Sequence, residues 1–500
     1  NFGGSFSSSA LMRLGLGPRR RSPRLLALRD GPDLISTLPD DLLLLVLARL
    51  GCAAAAARTG VLSRRWRGLW PRLRRIVFSD VALLSLEAAL GRFPPPPPAV
   101  SLVQIRVPKP RGGVPKPRGR VPKKHRADIA INSLLRAAAR LDPEEISLIL
   151  PSRFVVHSFL LELPCFNRAT SLVLDLCSTV SCVPPAVDFP ALEALSLSSC
   201  TADLEAVLSR CPRLRTLSIA NVSIHDGFLS IESPSLQELV VARGTWIKHV
   251  SIVAPVLTQM TMSLNFYQKG DISVLVPMVE KISWDCYLSG MDIDFGIWRL
   301  MKLSLHKAET QGQLPLLHIH ACIRPTNVYG GGGNFDEAEN FTQEIEKHMM
   351  AEFAIFELHI NPRGHVFGAL AFRLLGMNQV SSAMQRLKVI LTRSMMKKEC
   401  PLNCPCEPSN WRSQTISLNA LEEVEINGFD GDDHEIDFLK LIFKCAPMLQ
   451  KMTVKLSHEV SSRNDDCTEI YNTFREYYSV ECYVYLSSGL MHGSQNLSST

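Results

Sequence analysis

The segment Pro190-Ala-Leu192-Glu-Ala-Leu195-Ser-Leu197 places apolar residues two, five and seven positions after a proline. The same frame returns at Pro212, Pro234, Pro255 and Pro277, with spacings of 22, 22, 21 and 22 residues. So many copies in one register indicate an internal repeat rather than a chance match, and the spacing is typical of stacked repeat architectures.

Each copy of the frame predicts a short β-strand whose alternate side chains point into a core. One strand cannot bury its apolar face alone, so the units must stack on their neighbours. The segment from Ala202 to Arg210 is predicted to be helical and Val250 to Val253 to be an outer strand, which indicates a mixed outer layer. Units of about 20–29 residues built this way resemble leucine-rich repeats. The predicted fold class is α/β, a horseshoe solenoid with a parallel concave sheet.

The frame continues on both sides of these five copies with the proline replaced or the spacing stretched. On the N-terminal side it begins at Pro71, Pro98 and Pro143 and includes Ala169-Leu172-Leu174. On the C-terminal side it includes Leu300-Leu303-Leu305, Phe353-Phe356-Leu358, Met384-Leu387-Val389, Leu421-Val424-Ile426 and Pro447-Leu449-Met452-Val454. We predict a solenoid over residues 76–320, a flexible loop over 321–345, irregular repeats over 346–460 and a C-terminal tail over 461–500.

Two tracts carry much of the positive charge. Residues 1–29 contain six Arg and no acidic residue, and residues 109–126 contain eight Lys or Arg. The first tract has the composition of an organelle transit peptide or of a disordered basic leader, and we favour a leader over residues 1–32. The second, a VPKPRG repeat, predicts a surface loop inserted at residues 106–126, with a nuclear-localisation or nucleic-acid patch as the alternative. Without these tracts acidic residues outnumber basic ones, so a nucleic-acid partner is not favoured.

The overall composition favours a folded protein of a reducing compartment. The chain is 46% hydrophobic and 20% charged, and it has no uninterrupted apolar run long enough to span a membrane. The 14 cysteines lie mostly within apolar runs, which predicts reduced thiols in the nucleus or cytoplasm. Cys177 and Cys200 occupy equivalent repeat positions and are interpreted as buried structural thiols.

The chemistry-bearing residues form no recognised catalytic or cofactor motif. Cys400, Cys404 and Cys406 have the spacing C-x3-C-x-C, which differs from the usual zinc motifs, and Cys445 and His434 are the nearest partners in the sequence. A reduced structural loop without metal is the favoured interpretation, and zinc is the alternative. No residue pattern predicts a catalytic site.

The segment over residues 33–75 has a different pattern from the repeats. Pro39, Asp40 and Asp41 are typical of a helix start, and the helix that follows to Leu50 is almost wholly apolar. After an alanine run, Val61 to Trp70 predicts a second helical segment. A helical hairpin this apolar must pack against the array or against another protein.

The sequence Leu38-Pro39-Asp-Asp-Leu42, the helix to Leu50 and Val61-x-Ser63-Arg64-Arg65-Trp66-Arg67-x-Leu69-Trp70 together resemble an F-box. With the repeats behind it, the chain resembles the plant F-box/LRR family, and Leu421 to Phe429 with the segment up to Met452 resembles its FBD region. The resemblance implies a non-catalytic substrate receptor of a cullin-type ubiquitin ligase, docked to a SKP-type adaptor, with an unknown target protein bound by the repeats. The implied adaptor contact comprises Leu38, Pro39, Leu42, Val46, Leu50, Val61, Leu62, Trp66 and Leu69. A repeat scaffold outside any ligase, or a nucleic-acid-associated protein, is the alternative.

The target surface is predicted from strand alternation. Residues four, six and eight positions after the start of each frame point to the concave side. They are small in the middle repeats, as at Ala194 and Ser196, and become charged from Glu238 onward. The predicted target-binding residues are Glu238, Lys281, Asp285, Lys302, His306, Glu423, Glu425 and Lys451.

Overall fold

The computed structural model describes most of the chain. The described residues are 35, 37–93, 99–108, 126–151, 158–178, 180–183, 188–242, 247–266, 270–288, 294–307, 313–323, 336–393, 400, 404, 406, 411–458, 467–486 and 491–493. They divide into two compact units, residues 1–73 and residues 74–500. The predicted leader over 1–32 and residues 109–125 of the predicted insertion lie outside the described residues.

The first unit is helical. It contains α1 (Asp40–Arg49), α2 (Ala53–Arg58) and α3 (Arg64–Arg67), with 3-10 turns at Thr59–Val61 and Trp70–Arg72. Asp40 and Asp41 lie in the first turn of α1 and Arg49 in its last turn, where each charge suits the helix dipole. The sequence predicted a two-helix hairpin, but the second half is broken. Extended backbone at Ser63, with φ −160°, separates the turn at Thr59–Val61 from α3.

The second unit combines strands with short helices. Its strands are β1 (Arg75–Ser79), β2 (Leu102–Arg106), β3 (Glu145–Ile149), β4 (Phe159–Glu162), β5 (Ser171–Asp175), β6 (Val180–Val183), β7 (Ala194–Ser198), β8 (Thr201–Ala202), β9 (Thr216–Ala220), β10 (Ser223–Ile224), β11 (Phe228–Glu232), β12 (Glu238–Ala242), β13 (His249–Val253), β14 (Gln259–Asn265), β15 (Ile272–Leu275), β16 (Lys281–Tyr287), β17 (Asp294–Phe295), β18 (Trp298–Lys307), β19 (Leu316–Ile323), β20 (Ile355–Asn361), β21 (Arg386–Leu391), β22 (Glu423–Phe429), β23 (Lys451–Leu456), β24 (Glu481–Tyr485) and β25 (Met491–Gly493). Its helices are α4 (Leu83–Leu90), α5 (Arg126–Ala139), α6 (Leu204–Leu208), α7 (Asp336–Glu346), α8 (Gly368–Leu375), α9 (Asn378–Ser381), α10 (Asp433–Cys445) and α11 (Cys467–Glu476), with 3-10 turns at His225–Gly227 and Trp411–Ser413.

One long sheet runs through the whole second unit. Its strands follow one another in the order β1, β2, β3, β5, β7, β9, β12, β14, β16, β18, β19, β20, β21, β22, β23, β24 and β25, with β17 paired to β18. Two smaller parallel sheets, β4-β6-β8-β10 and β11-β13-β15, form further layers. The mixed α/β architecture with a large, mainly parallel sheet is therefore confirmed. The outer strand predicted at Val250 to Val253 lies within β13, and the helix predicted after Ala202 is α6.

The repeat frame forms the core of this unit. Leu192, Leu195 and Leu197 are each 1–2% exposed. Leu195 lies beside Leu217 in the next strand, and Leu217 beside Leu239 in the one after. Identical frame positions therefore stack into continuous apolar ladders, which is how units that cannot bury their own faces share one core.

Strand β18 departs from the predicted repeat. Leu300, Leu303 and Leu305 are fully buried as the frame requires, but β18 pairs antiparallel with both β16 and β19. Alternation with a period of two residues has the same form in both chain directions, so the sequence pattern could not reveal the reversal. The sheet is parallel elsewhere among the described strands, apart from the short strands β17 and β25.

The segment after β19 also differs from the prediction. Helix α7 begins at Asp336, inside the predicted loop over 321–345, although residues 324–335 lie outside the described residues. Its Phe341 packs against Phe295, with ring centroids 5.4 Å apart. Beyond the helix, His348 lies against Phe266 and Trp284, at 6.0 and 6.1 Å between ring centroids. The helix and the turn that follows it therefore cover apolar residues of β16, β17 and their neighbours.

The sheet also continues beyond the predicted boundary at residue 460. Strand β24 pairs with β23. Phe474 of α11 packs on Phe443 of α10, and the ring of Tyr477, the residue after α11, stacks on Phe443 at 4.4 Å. At the predicted insertion, Arg106 closes β2 and Arg126 opens α5, so both ends of that segment belong to regular elements. Among the described residues no helix is both long and apolar enough to cross a membrane.

Buried His348 provides a pH-dependent test of this packing. Burial lowers the pKa of His348 to about 3, and Trp284 Nε1 donates to its Nδ1 at 3.4 Å. The unfolded chain should protonate this residue near its ordinary pKa of about 6.5, so neutral His348 stabilises the fold above that pH. We expect this contribution to fall by up to about 1.4 kcal/mol for each pH unit between about 6.5 and 3. Denaturant titrations of the wild type and of His348→Asn at several pH values measure it. A parallel pH dependence in both proteins would contradict the assignment.

Candidate functional site

Helix α1 is apolar on two faces. Leu43 and Leu47 are buried within the first unit, at 0% and 1% exposure. Leu42, Leu45 and Val46 are 45%, 61% and 47% exposed on the other face. Helical spacing places residues three and four positions apart side by side, so these three side chains form a continuous apolar stripe. A helix of a water-exposed unit normally keeps that face polar, which marks the stripe as a contact surface.

Neighbouring segments of the first unit add further exposed apolar groups. Val61 is 84% exposed, Leu62 68% and Leu50 44%, and Pro39 at the start of α1 is also exposed. Leu45 and Ile35, both more than half exposed, were missed by the sequence interpretation. Leu45 follows Leu42 by three residues, which places both on one helical face, so the sequence could have indicated Leu45. We call the exposed set Ile35, Pro39, Leu42, Leu45, Val46, Leu50, Val61 and Leu62 the apolar surface of the first unit.

Three residues of the predicted adaptor contact lie elsewhere. Trp66 and Leu69 are 7% and 2% exposed, and with Trp70 they form the interior of the helical unit. Leu38 is half-buried. A side chain with so little exposed area has little surface to offer a partner, so Trp66 and Leu69 support the apolar surface rather than form it.

An ion-pair cluster joins the two ends of the first unit. Arg65 Nε and Nη2 donate to Asp40 Oδ1 at 2.9 and 2.7 Å, and Arg72 Nη1 donates to Asp40 Oδ2 at 2.9 Å. The hydrogen bond from Arg65, followed by that from Arg72, holds the pKa of Asp40 below its usual value. Arg65 and Arg72 therefore tie the second half of this unit back to the start of α1.

On the second unit, three predicted target-binding residues meet at one carboxylate. Lys302 Nζ lies 2.7 Å from Asp285 Oδ1, and Ser304 Oγ donates to the same oxygen at 2.7 Å. His306 Nε2 lies 3.7 Å from it, while His306 Nδ1 is 3.2 Å from Ser283 Oγ. Interaction with His306, and then with Lys302 and Ser304, holds the pKa of Asp285 far below its usual range, against the opposing effect of burial.

A ladder of alternating charge crosses the following strands on the same face. Glu357, Lys388 and Glu425 lie side by side on β20, β21 and β22. Lys388 Nζ is 3.2 Å from Glu357 Oε2, and Lys455 Nζ donates to Glu425 Oε1 at 2.6 Å. Each carboxylate therefore has a cation beside it, and much of the charge on this face is neutralised within the molecule.

The remaining predicted target-binding residues are separate from the Asp285 group. Glu423 pairs with Arg386 at 3.1 Å, and Lys451 Nζ lies 5.8 Å from the ring centroid of Tyr483. Lys281 and Glu238 are exposed at the starts of β16 and β12. The structure thus gathers Asp285, Lys302 and His306 into one group and Glu423, Glu425 and Lys451 into a second, and leaves Glu238 and Lys281 apart from both.

Three histidines on this face were not identified from the sequence. His318 and His320 on β19 lie beside Glu357 and His359 on β20. Burial, and then the neighbouring His359, lowers the pKa of His318 to about 4 and also lowers that of His320. The alternation in Leu316–Ile323 could have revealed the first two histidines, and that in Ile355–Asn361 could have revealed His359. The donor atoms of His318, Glu357 and His359 lie within 4.8 Å of one another, but Lys388 already neutralises the carboxylate, which disfavours a bound cation there.

Buried charges join the end of β21 to the segment after β22. Glu435 on α10 is fully buried, and Arg393 Nη2 donates to its Oε1. The backbone N–H groups of Asp430 and Gly431 donate to Glu435 Oε2 at 2.7 and 3.0 Å. Arg393 Nε also donates to the carbonyl of Gly428 at 2.7 Å. At Gly428, φ is +78° and a Cβ would lie 2.3 Å from the Leu391 carbonyl oxygen, so this close approach requires glycine.

The sequence neighbours proposed for the cysteine cluster are not its partners. Cys400, Cys404 and Cys406 group with His365, whereas the ring of His434 packs against Phe367 and Cys445 is buried on α10. His365 lies 35 residues before Cys400, so sequence proximity gave no indication of it.

Two family models match the chain within the second unit. The model of the LRR repeats of the FBD-associated F-box protein At5g56370 matches residues 131–283, and the FBD model matches residues 418–454. The first range covers strands β3 to β15 and the first residues of β16, and the second includes β22 and α10. The predicted repeats and the predicted FBD region are therefore confirmed.

Known plant proteins are similar over different lengths of the chain. At3g58880, a candidate F-box/LRR-repeat protein of Arabidopsis thaliana, is 24% identical over 84% of this chain and 91% of its own length. The F-box/LRR-repeat protein At3g03360 of Arabidopsis is 30% identical over 46% of this chain and 47% of its own length. The MEIOTIC F-BOX protein MOF of rice (Oryza sativa subsp. japonica) is 26% identical, with 55% of each chain covered. No solved structure matches the chain significantly. Through its repeats, its FBD region and these relatives, the chain is similar to plant F-box/LRR-repeat proteins with an FBD region.

Proposed function

We propose that this protein is a non-catalytic substrate receptor of a cullin-type ubiquitin ligase, acting in the nucleus or cytoplasm. In this role residues 33–75 are an F-box that binds a SKP-type adaptor, and the repeats bind the protein to be ubiquitinated. The similar proteins named F-box/LRR-repeat proteins support a receptor rather than an enzyme. The observation that carries the proposal is the apolar surface of the first unit, because exposed side chains of this size in a helical unit require a partner.

The chemistry of the apolar surface fits a protein partner that forms a lasting complex. Leu42, Leu45 and Val46 present branched aliphatic groups from one helix, and Val61 and Leu62 present two more from a separate segment. Aliphatic anchors at the centre of an interface, with charged groups at its rim, are typical of stable complexes. Arg64 and Arg67 are exposed near Leu62 in the sequence and could supply such a rim.

Adaptor binding is tested with the double variant Pro39→Ala/Leu42→Ala. Both side chains are exposed, so we expect the melting temperature to stay near that of the wild type. Loss of anchor contacts should weaken adaptor binding by about 2 kcal/mol or more, which is roughly 30-fold. Calorimetric titration of the full chain with a plant SKP-type adaptor measures the change. The matched control is Leu275→Ala/Met278→Ala, since both residues are exposed apolar groups of the second unit. Wild-type affinity in the first double variant would refute the docking assignment.

The concave polar face is the proposed target surface. Small side chains line it in the middle repeats, whereas lysines, histidines and carboxylates line it from β16 onward. Pairs such as Lys302–Asp285 hold their groups in fixed positions. Fixed charges contribute orientation and specificity more than affinity, so we infer a target with a complementary pattern of charge rather than a purely apolar segment.

Charge reversal on this face should separate target capture from adaptor binding. The triple variant Lys281→Glu/Lys302→Glu/Lys451→Glu is expected to lose target capture while it retains the adaptor. The matched control is Glu205→Lys, because Glu205 is exposed on α6, away from the charged end of the sheet. Quantitative affinity purification from plant tissue, with the adaptor as internal standard, compares the bound proteins. Capture that survives the triple variant but is lost in the control would place recognition on the outer layer.

A further inference from the structure

Four metal-binding side chains converge at the ends of β20 and β21. Cys400 Sγ lies 3.2 Å from His365 Nδ1 and 3.4 Å from Cys406 Sγ, and Cys404 Sγ lies 3.3 Å from the same His365 nitrogen. All four donor atoms are within 4.8 Å of one another. Cys406 is buried, and the other three residues are half-buried.

The topology explains why residues distant in sequence meet here. Strands β20 and β21 are parallel neighbours, so the chain leaves both at the same edge of the sheet. His365 follows β20 by four residues, and its backbone N–H donates to the Pro362 carbonyl at 2.9 Å, which fixes the turn that carries the ring. The cysteines follow β21. The cluster therefore joins two consecutive connections of the array.

A second contact involves Trp411, which follows the cysteines in the sequence. The buried ring of Trp411 lies against the start of α8, where a Cβ on Gly368 would come within 2.4 Å of it. Phe372 of α8 also packs on Trp411, with ring centroids 6.1 Å apart. Trp411, five residues after Cys406 in the sequence, is thus anchored on α8 by apolar packing.

Neither ordinary thiol packing nor a disulfide accounts for the arrangement. A disulfide joins two sulfurs at about 2.05 Å, and the 3.4 Å between Cys400 and Cys406 is a non-bonded distance. Buried structural cysteines usually lie among apolar groups, whereas here two thiols lie against one imidazole nitrogen and a third thiol lies beside one of them. Tetrahedral zinc with Zn–S bonds of about 2.3 Å separates its sulfur ligands by about 3.8 Å, so the observed spacing needs adjustments of only a few tenths of an ångström.

We propose that His365, Cys400, Cys404 and Cys406 form a structural zinc site of the Cys3His type. Three thiolates and one imidazole are a closed ligand set of this metal, which leaves no position for substrate. The backbone of Val366 hydrogen-bonds the Cys406 sulfur. Zinc bound here would clamp the connection after β21 to the turn after β20, next to the FBD region. Three protons leave the thiols as the metal binds, so binding is favoured at higher pH.

The test measures zinc in the full chain, purified without a polyhistidine tag and without chelators. Elemental mass spectrometry should find one zinc per chain in the wild type and none above background in Cys404→Ser or His365→Ala. The matched control is Cys165→Ser, a half-buried thiol outside the cluster, which should retain one zinc. Cobalt exchanged into the wild type should show thiolate charge-transfer absorption and the visible bands of tetrahedral coordination.

A third measurement uses only the wild-type chain, so it remains informative if the variants fail to fold. Zinc stripped from the wild-type chain with a chelator should lower its melting temperature, and added zinc, but not magnesium, should restore it. The proposal is overturned if wild type dialysed against zinc still carries no tightly bound metal. It is also overturned if folded Cys404→Ser and His365→Ala both retain the metal, or if the cobalt protein lacks thiolate charge transfer.

Discussion

Arg393→Ala is expected to lower the free energy of unfolding by about 3–5 kcal/mol, because it leaves the buried Glu435 carboxylate without its cation. Glu435 is fully buried. Burial raises the pKa of Glu435, and Arg393 counteracts that effect. Two backbone N–H groups would still bond one carboxylate oxygen, but they cannot replace a full charge. Urea denaturation of the full chain, followed by circular dichroism, measures the change.

The matched control is Arg386→Ala. Arg386 also pairs with a glutamate, Glu423, at 3.1 Å, but its side chain is 50% exposed and that of Glu423 is 42% exposed. An exposed pair contributes about 0–1 kcal/mol, so this variant should be close to wild type. In the double variant Arg393→Ala/Glu435→Gln only part of the loss should be recovered. The Glu435 charge is removed, but the buried carboxylate of Asp430, which lies 3.4 Å from Arg393 Nε in the wild type, keeps its charge. Equal losses in Arg393→Ala and Arg386→Ala would show that the buried pair has no special role.

Trp66→Ala is expected to destabilise the first unit by about 3–5 kcal/mol, as other deletions of large core side chains do. Trp66 is 7% exposed and packs in the interior with Leu69 and Trp70. The loss should appear as early unfolding of residues 37–73, which hydrogen exchange detects separately from the second unit.

Leu62→Ala is the matched comparison for Trp66→Ala, because it is expected to weaken adaptor binding rather than stability. Leu62 is 68% exposed, so its removal should change stability by less than about 0.5 kcal/mol while it weakens adaptor binding. Hydrogen exchange and adaptor titration on the same samples compare the two variants. If Trp66→Ala left the first unit stable yet abolished adaptor binding, Trp66 would be a direct contact and our assignment of it to the interior would be incorrect.

The sequence predicted the stacked strands because the repeat depends on local rules. A frame such as Leu192-Leu195-Leu197 sets both which side chains enter the core and where the strand begins. It recurs at nearly constant spacing, so the register between neighbouring strands follows directly, as in Leu195 beside Leu217. The same alternation placed Asp285 and Lys302 on the polar face.

Other features depend on contacts between distant residues and could not be predicted in this way. The direction of β18 is set by which loops connect it, and alternation carries no information about that. Apolar residues in α1 were predicted to need cover, but the apolar pattern alone did not distinguish Leu43, which faces inward, from Leu42, which faces outward. Only the F-box resemblance named Leu42 as a contact residue. Similarly, His365 meets the cysteines only because β20 and β21 are parallel neighbours.

For the polar face, the sequence predicted which residues take part but not which of them contact one another. The sequence identified Lys302, Asp285 and His306 individually, but their convergence on one carboxylate oxygen depends on the antiparallel register of β16 and β18. The pairing of Lys388 with Glu357 likewise arises from strand order. Neutralisation of charge on the polar face therefore became apparent only from the structure.

The contact between Trp284, before the reversed strand β18, and His348, after it, limits how this protein can be shortened by evolution or by engineering. In a regular solenoid each unit carries its own outer layer, so single units can be deleted or duplicated. Here Trp284 donates its indole N–H to His348, which lies 64 residues further along the chain. A chain ended after β16, near the limit of the matched repeats, would leave Trp284 and Phe266 without that cover. We therefore expect the repeats before β18 and the segment after it to unfold together. Single repeat units between Phe266 and His348 should then not tolerate deletion or duplication.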